Sequence, residues 1–390
     1  MIEMENELKV EYAARIEKVR EESIRRGLSA LIIYGLAPRR AGDLMYLTGH
    51  QPMLPGHPRR FNFRCRGASA IVLPIEGEPC LITTTPFYEK ELYISDVTYV
   101  DNLPEEIGKR IVQMGLAKAD IGIVGTDILG VSLYRDLCRE LNQVRFRDAD
   151  DIVMNLRAAK SPYELKQLRT GAQIADEVAD LLRRYLRPGL TERQVYDFIT
   201  HELSKREVTG AFATCQSGWR SETPYELDPA SQKVIEDGDM VHMEINGKYN
   251  GYMIDICRST VAGKSSAEQR RVLELALKMF RDGAAAMKAG VPAENIEKIT
   301  GQIACDNGFM HNHTRTYGGD ATLAGHAIGL GTDEPPVLVC GDKTRLAAGM
   351  VITLEPGLYH TGVGGCRLED ELLILPDGTE NLNHNDMTWW

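Results

Sequence analysis

The sequence predicts an α/β (α+β) protein in two domains, residues 1–155 and 156–390 of a 390-residue chain. Three observations carry that reading. Short apolar runs alternate with helical charge patterns over the first third, the signature of a small α/β layer. Near Asp151 the character changes, and Leu156-Arg157-Ala158-Ala159-Lys160-Ser161-Pro162 leads into a long helical pattern. Further on, the helix-breaking run from Leu186 to Glu192 nearly returns from Lys288 to Glu294, which suggests a duplicated helix–turn–helix unit tied to strands.

Residues 10–27 carry charges at helical spacing, and residues 30–35 follow as a short buried strand closed by a glycine. Residues 68–74 and 79–82 read as two further strands joined by a turn. Residues 121–125 form another, after a helix ending near Leu116. Between them residues 37–66, rich in proline and arginine, read as a long loop, either functional or a surface connection. Ser161 and Glu164 form a capping box with Pro162 in the first turn, so a helix begins there. Residues 241–247 and 252–258 read as strands around a glycine-rich hairpin turn at 246–251. Residues 351–357 give a buried-strand pattern ending in Pro-Gly, and residues 364–374 read as one strand.

Composition narrows the function classes. With 45 Lys plus Arg against 56 Asp plus Glu, the formal net charge is -11, the opposite of what a phosphate-backbone binder needs. No nucleic-acid partner is therefore expected. The eight cysteines lie 15 or more residues apart, so no local zinc or redox pair can be built from them. The charged N-terminal stretch lacks the apolar centre of a signal peptide, and no window approaches the length of a membrane span. The expectation is a cytoplasmic protein with free thiols and no membrane partner.

Carboxylates inside apolar strands are the conspicuous feature of the second domain. Glu244 and Asp255 each sit in a strand-like run, and desolvating an unpaired charge costs several kcal/mol. A cation would satisfy them; a salt bridge from Asp255 to Arg258 is the plainer alternative. His326, flanked by Gly325 and Gly329, is either a metal-ligating imidazole or a core histidine. Glu355 precedes the Pro356-Gly357 turn, and Glu369 lies in the last strand pattern. Four strand-borne carboxylates and one histidine within about 125 residues are hard to satisfy by separate ion pairs.

The order and spacing of these motifs resemble the creatinase, prolidase and aminopeptidase P family of pita-bread metallopeptidases, from about Met154 to the C-terminus. The segment Tyr46-Leu47-Thr48-Gly49 is similar to that family's creatinase-type N-terminal domain, so the resemblance covers nearly the whole chain. It implies a pita-bread catalytic domain over 156–390. Two divalent metals are held in the family by two aspartates, a histidine and two glutamates. By this resemblance the ligands here are Glu244, Asp255, His326, Glu355 and Glu369. Glu244 stands in the first aspartate's place, eleven residues before Asp255 as in the family. Its extra methylene displaces, weakens or removes one metal position. Carboxylates with one imidazole suit manganese, iron or zinc, at one or two ions per chain.

Two further departures bear on substrate. Asp333 stands seven residues after His326, where the family's peptidases have a substrate-contacting histidine. A second histidine is absent from residues 216–225, with Tyr225 about where it would fall. Tyr225, Asp333, His313 and Arg367 are the candidate substrate-binding residues, and Arg367 also stands where it could orient Glu369. His242 reads as structural, and His360 as a candidate pocket neighbour. Trp389 and Trp390 read as packed into a groove or a dimer contact.

The resemblance implies hydrolysis of a C–N bond, amide or peptide, by a metal-bound hydroxide. Glu355 would carry the proton and His326 would complete the catalytic pair. The substrate would be a short peptide of Xaa-Pro type or a small nitrogenous solute. Two alternatives stay open: a C–S lyase of the dimethylsulfoniopropionate lyase type on the same fold, and a metal-free binding protein on a retired peptidase fold. The family is commonly homodimeric, which would bring the arginines at 59, 60, 64 and 66 toward a neighbouring pocket.

Overall fold

The computed structural model describes residues 2–36, 41–51, 65–222, 230–309 and 323–390. Tyr225, His313 and the arginines at 59, 60 and 64 lie outside the described residues. The chain forms two compact units that divide after Arg157.

The first unit is built on a six-stranded sheet. Helix α1 (Ile2–Arg25) precedes β1 (Ala30–Leu36), and β1 pairs antiparallel with β2 (Ala68–Pro74) and parallel with β5 (Asp120–Val124). Strands β3 (Cys80–Thr83), β4 (Asp96–Tyr99) and β6 (Arg145–Asp148) complete the order β4-β3-β2-β1-β5-β6. Helices α3 (Leu103–Gln113), α4 (Val131–Glu140) and α5 (Asp150–Ala158) belong to this stretch. Leu103, Ile107, Leu133 and Leu137 pack on Ile32, Val72 and Ile123 in one core cluster.

One expectation is corrected here. The stretch read as a loop contains a short helix, α2 (Gly42–Thr48), all of whose residues are buried and which ends on Gly49 at φ 75. Burial of Leu44, Met45 and Leu47 overrides the surrounding proline and arginine content. Asp43 on this helix forms a buried ion pair with Arg157 at 2.6 Å.

The second unit repeats a helix pair followed by strands. Helix α6 (Pro162–Tyr185) starts at Ser161 with the expected capping box, and α7 (Glu192–Ser204) starts at Thr191 with another. Each such cap is worth about 1 kcal/mol. They pack on a three-stranded antiparallel sheet of β7 (Thr209–Ser217), β8 (Met240–Tyr249) and β9 (Tyr252–Val261). Helix α8 (Ala267–Ala286), capped at Ser266, and α9 (Ala293–Asp306) open the second repeat. They pack against a five-stranded sheet in the order β11 (Glu334–Val339), β10 (Leu323–Ala327), β12 (Val351–Leu354), β15 (Asp370–Ile374), β16 (Thr379–Asn381). A two-stranded ribbon, β13 (Gly357–His360) with β14 (Gly364–Arg367), stands between β12 and β15 in sequence.

Two strand boundaries differ from the sequence reading. The hairpin between β8 and β9 turns on Asn250 and Gly251 alone, at φ 47 and 85. Asn-Gly with positive φ at both positions makes the tight turn that matches strand twist, so residues 246–249 stay in the ladder. The run 364–374 is two strands because β14 pairs with β13 and β15 with β12. The chain changes partners at Leu368 and Glu369, and there Glu369 bridges to Cys257 on β9. Trp389 and Trp390 pack against the two core clusters of this unit. Among the described residues no helix is long and apolar enough to cross a membrane.

Candidate metal centre

The sheet β7-β8-β9 has two chemically distinct faces, set by the alternation of side chains along a strand. Ala213, Cys215, Val241, Met243, Ile245, Ile254 and Ile256 point into the core beneath α6 and α7. Register places Thr214 opposite Glu244, Gln216 opposite His242, Glu244 opposite Cys257 and Asn246 opposite Asp255. The other face is therefore a polar floor, and it carries the first two candidate ligands.

The remaining candidates come from the five-stranded sheet. A Cβ on Gly325 would collide with the Thr353 carbonyl oxygen, so glycine is required for β10 to approach β12 beside His326. The His326 amide donates to Thr353 Oγ1 at 3.3 Å, and the Glu355 amide to the Ala324 carbonyl at 2.8 Å. Glu369 donates its amide to the Cys257 carbonyl at 3.1 Å. The fully buried Arg258 donates to the Glu369 carbonyl at 2.7 Å and pairs with Asp370 at 2.8 Å. Arg258 thus serves Asp370, and the plain reading of Asp255 as its partner is replaced. Asp255 is held differently, its amide donating to Glu371 Oε1 at 2.9 Å.

These supports bring donor atoms of Asp255, His326 and Glu369 within 4.8 Å of one another. His326 Nδ1 donates to the Ala327 carbonyl at 3.2 Å, so in the neutral ring Nε2 is the nitrogen with the free lone pair. That nitrogen faces carboxylate oxygens of Asp333 at 3.3 Å, Glu355 at 3.5 Å and Asp255 at 3.7 Å. Lone pair against lone pair repels unless a cation lies among them; a proton on Nε2 would answer only one oxygen. Glu355 Oε1 is buried with no hydrogen-bond partner among the described residues. Burial, then the charges of Glu244, Glu355 and Asp333, push the Asp255 carboxyl well above the usual carboxylate range. Burial, then Asp255, Glu355 and Glu244, do the same to Glu369. The donor set fits a divalent ion held by Asp255, His326, Glu355 and Glu369.

Glu244 and Arg367 behave differently from the sequence expectation. Among the described residues Arg367 hydrogen-bonds Glu244 rather than Glu369: its Nε donates to Glu244 Oε1 at 3.0 Å, Nη2 contacts the same oxygen, and Nε stands 3.7 Å from Glu355 Oε2. Ser259 fixes this segment, its hydroxyl donating to the Arg367 carbonyl at 2.8 Å and accepting from the Arg367 amide at 3.0 Å. Glu244, carrying one methylene more than aspartate, reaches the guanidinium.

Asp333, expected at the substrate, stands against the metal-site histidine while its side chain stays 76% exposed. Its neighbour Glu334 is buried, accepts from the Gly331 amide at 2.6 Å and pairs with Lys160 at 3.4 Å. That buried pair fixes the turn carrying Asp333. His242 lies on the polar floor, fully buried, with Nε2 at 2.8 Å from Gln216 Oε1. Burial lowers its pKa to about 3 and keeps it neutral. His360 ends β13, its Nδ1 donating to the Thr361 carbonyl at 3.0 Å. Asn246, which the sequence places in both the strand run 241–247 and the turn 246–251, is the site neighbour that sequence reasoning does not single out. The alternation His242, Glu244, Asn246 against Val241, Met243, Ile245 is the signal that would have found it.

Residues 166–376 match the model of metallopeptidase family M24. The Xaa-Pro dipeptidase of Pyrococcus horikoshii is 29% identical over 320 residues, covering 80% of this chain and 88% of that protein. The Xaa-Pro dipeptidase of Pyrococcus furiosus is 31% identical over 272 residues, covering 68% and 74%. Among solved structures, the X-Pro aminopeptidase of Thermotoga maritima superposes with a TM-score of 0.83 at 22% identity, covering 95% of this chain and 98% of that one. The fold of this chain is the one seen there.

Proposed function

Because the chain belongs to metallopeptidase family M24, we propose that it is a metal-dependent hydrolase cleaving the C–N bond of a short Xaa-Pro peptide. The observation that carries the reading is His326 Nε2 standing 3.3, 3.5 and 3.7 Å from carboxylate oxygens of Asp333, Glu355 and Asp255, with Glu355 Oε1 lacking a hydrogen-bond partner among the described residues. Asp255, His326, Glu355 and Glu369 would hold the ion, whether manganese, iron or zinc. Such an ion supplies Lewis-acid polarisation of the scissile carbonyl and a nucleophilic oxygen drawn from water at neutral pH.

The chain's own groups do the rest. Glu355 Oε1 takes a proton from the attacking water and returns it to the leaving nitrogen. Arg367, 3.7 Å from Glu355 Oε2, orients that carboxylate. Asp333 at the exposed rim attracts the free amino end of a peptide. The relatives whose names specify Xaa-Pro dipeptides support this substrate class. Elimination at a C–S bond and metal-free binding gain no support from them. A homodimer working in the cytoplasm is also proposed, on the family resemblance; a one-chain mass in sedimentation would contradict the dimer.

The test is release of free proline from Xaa-Pro dipeptides by protein reconstituted with manganese, iron or zinc. Glu355→Gln and chelator-treated protein serve as controls. Proline release with each metal-loaded sample, falling about 100-fold or more in Glu355→Gln, is expected. Equal release by the variant, or none with any of the three metals, would overturn the proposal.

A further inference from the structure

Resting on the metal reading above, we infer that this site holds one divalent ion per chain and that Arg367 and Asn246 occupy the place a second ion would need. The donor atoms that converge are those of Asp255, His326 and Glu369, with Glu355 Oε1 at 3.5 Å from His326 Nε2; Glu244 is not among them. Glu244 Oε1 instead receives both Nε and Nη2 of Arg367. Glu244 is buried at 4% exposure and Arg367 nearly so at 11%. A charge-assisted pair largely withdrawn from water is among the stronger polar contacts in a protein. It gives Glu244 a full positive partner from the chain itself.

Asn246 closes the other side. It stands opposite Asp255 in the β8–β9 ladder, and its side-chain amide lies 2.6 Å from Asp255 Oδ1. With the nitrogen toward Asp255, it donates to Oδ1 and to the Ile245 carbonyl at 3.0 Å; in the reverse orientation it donates to Glu244 Oε2 at 3.4 Å and its oxygen meets Asp255, so either way the amide stands between the two carboxylates. Asp255 Oδ2 faces His326, so the two oxygens are divided between the histidine side and the amide. A second ion between Glu244 and Asp255 would displace the amide and sit beside the guanidinium. Arg367, which the longer side chain of Glu244 reaches, and the amide of Asn246 therefore act together, each answering a carboxylate that a second cation would otherwise bridge.

The count is read directly by elemental mass spectrometry of the full-length protein after equilibration with excess Mn(II) and removal of loosely bound ion. Electron paramagnetic resonance runs alongside. One ion per chain with an uncoupled Mn(II) spectrum is expected. Two ions per chain, or a spin-coupled pair, overturns this inference while leaving the hydrolase reading intact. No bound ion overturns both. In Arg367→Gln/Asn246→Gly the count is expected to rise from one toward two. A folded double variant that still binds one removes these residues as the cause, and if the variant does not fold, the wild-type count and spectrum decide.

Discussion

Asn246 lies directly across the β8–β9 ladder from Asp255, and its side-chain amide meets the carboxylate of the residue it pairs with. A buried carboxylate facing a neutral amide on one side and the His326 imidazole on the other is poised between two states. It is costly when charged and alone, and stable when a cation joins it. The strand pairing that creates this arrangement depends on the two-residue turn at Asn250 and Gly251.

Asn246→Asp follows from that relationship. It sets a second carboxylate against Asp255, so the metal-free protein should lose roughly 1 kcal/mol or more, and Mn(II) should restore more than it adds to wild type. Thermal melts with and without Mn(II) check this; an unchanged gap between the two melts would contradict the placement.

Arg258→Met removes the one ion-pair partner of the buried Asp370 among the described residues and frees the Glu369 carbonyl. Breaking one side of a buried pair costs about 3–5 kcal/mol. Urea unfolding should show that loss, and adding Asp370→Asn should recover part of it. A loss below about 1 kcal/mol in Arg258→Met would show that the pair does not support this corner of the site.

His50 in the first unit is 2% exposed, with Nε2 within 3.1–3.3 Å of the hydroxyls of Thr85, Ser69 and Thr83. Burial lowers its pKa from 6.5 to about 4. The unfolded chain therefore takes up a proton that the folded chain refuses between those values. Stability is full above pH 6.5 and falls as pH drops toward 4, by roughly 3 kcal/mol from this group. Urea unfolding of wild type and His50→Gln across that window should give a smaller slope for the variant; parallel slopes would refute the assignment.

Asp333→Asn tests the rim. Its exposure limits the attraction to about 1 kcal/mol or less, so kcat/KM for a free-amine dipeptide should fall about two- to fivefold relative to the N-acetylated peptide. An equal change for both substrates would place Asp333 elsewhere in the reaction.

Much of this was legible in the sequence where local rules dominate. The capping box at Ser161, the buried strand at 68–74 and the apolar strand patterns around Glu244, Asp255 and Glu355 follow from residue types within a few positions of one another. The misses are places where distant partners decide. Helix α2 exists because its residues are buried, and Glu369 sits at a break because β14 and β15 take different neighbours. The choice of Arg367 between Glu369 and Glu244 depends on which carboxylate the fold brings to its guanidinium, 123 residues away in sequence. No spacing rule encodes that.

The most direct test of the central claim is anomalous diffraction at the manganese edge from crystals of the Mn(II)-loaded protein. The account predicts one peak per chain, enclosed by Asp255, His326, Glu355 and Glu369, with Glu244 still held by Arg367. A peak bound by Glu244 in place of His326, or none at full Mn(II) loading, would contradict it.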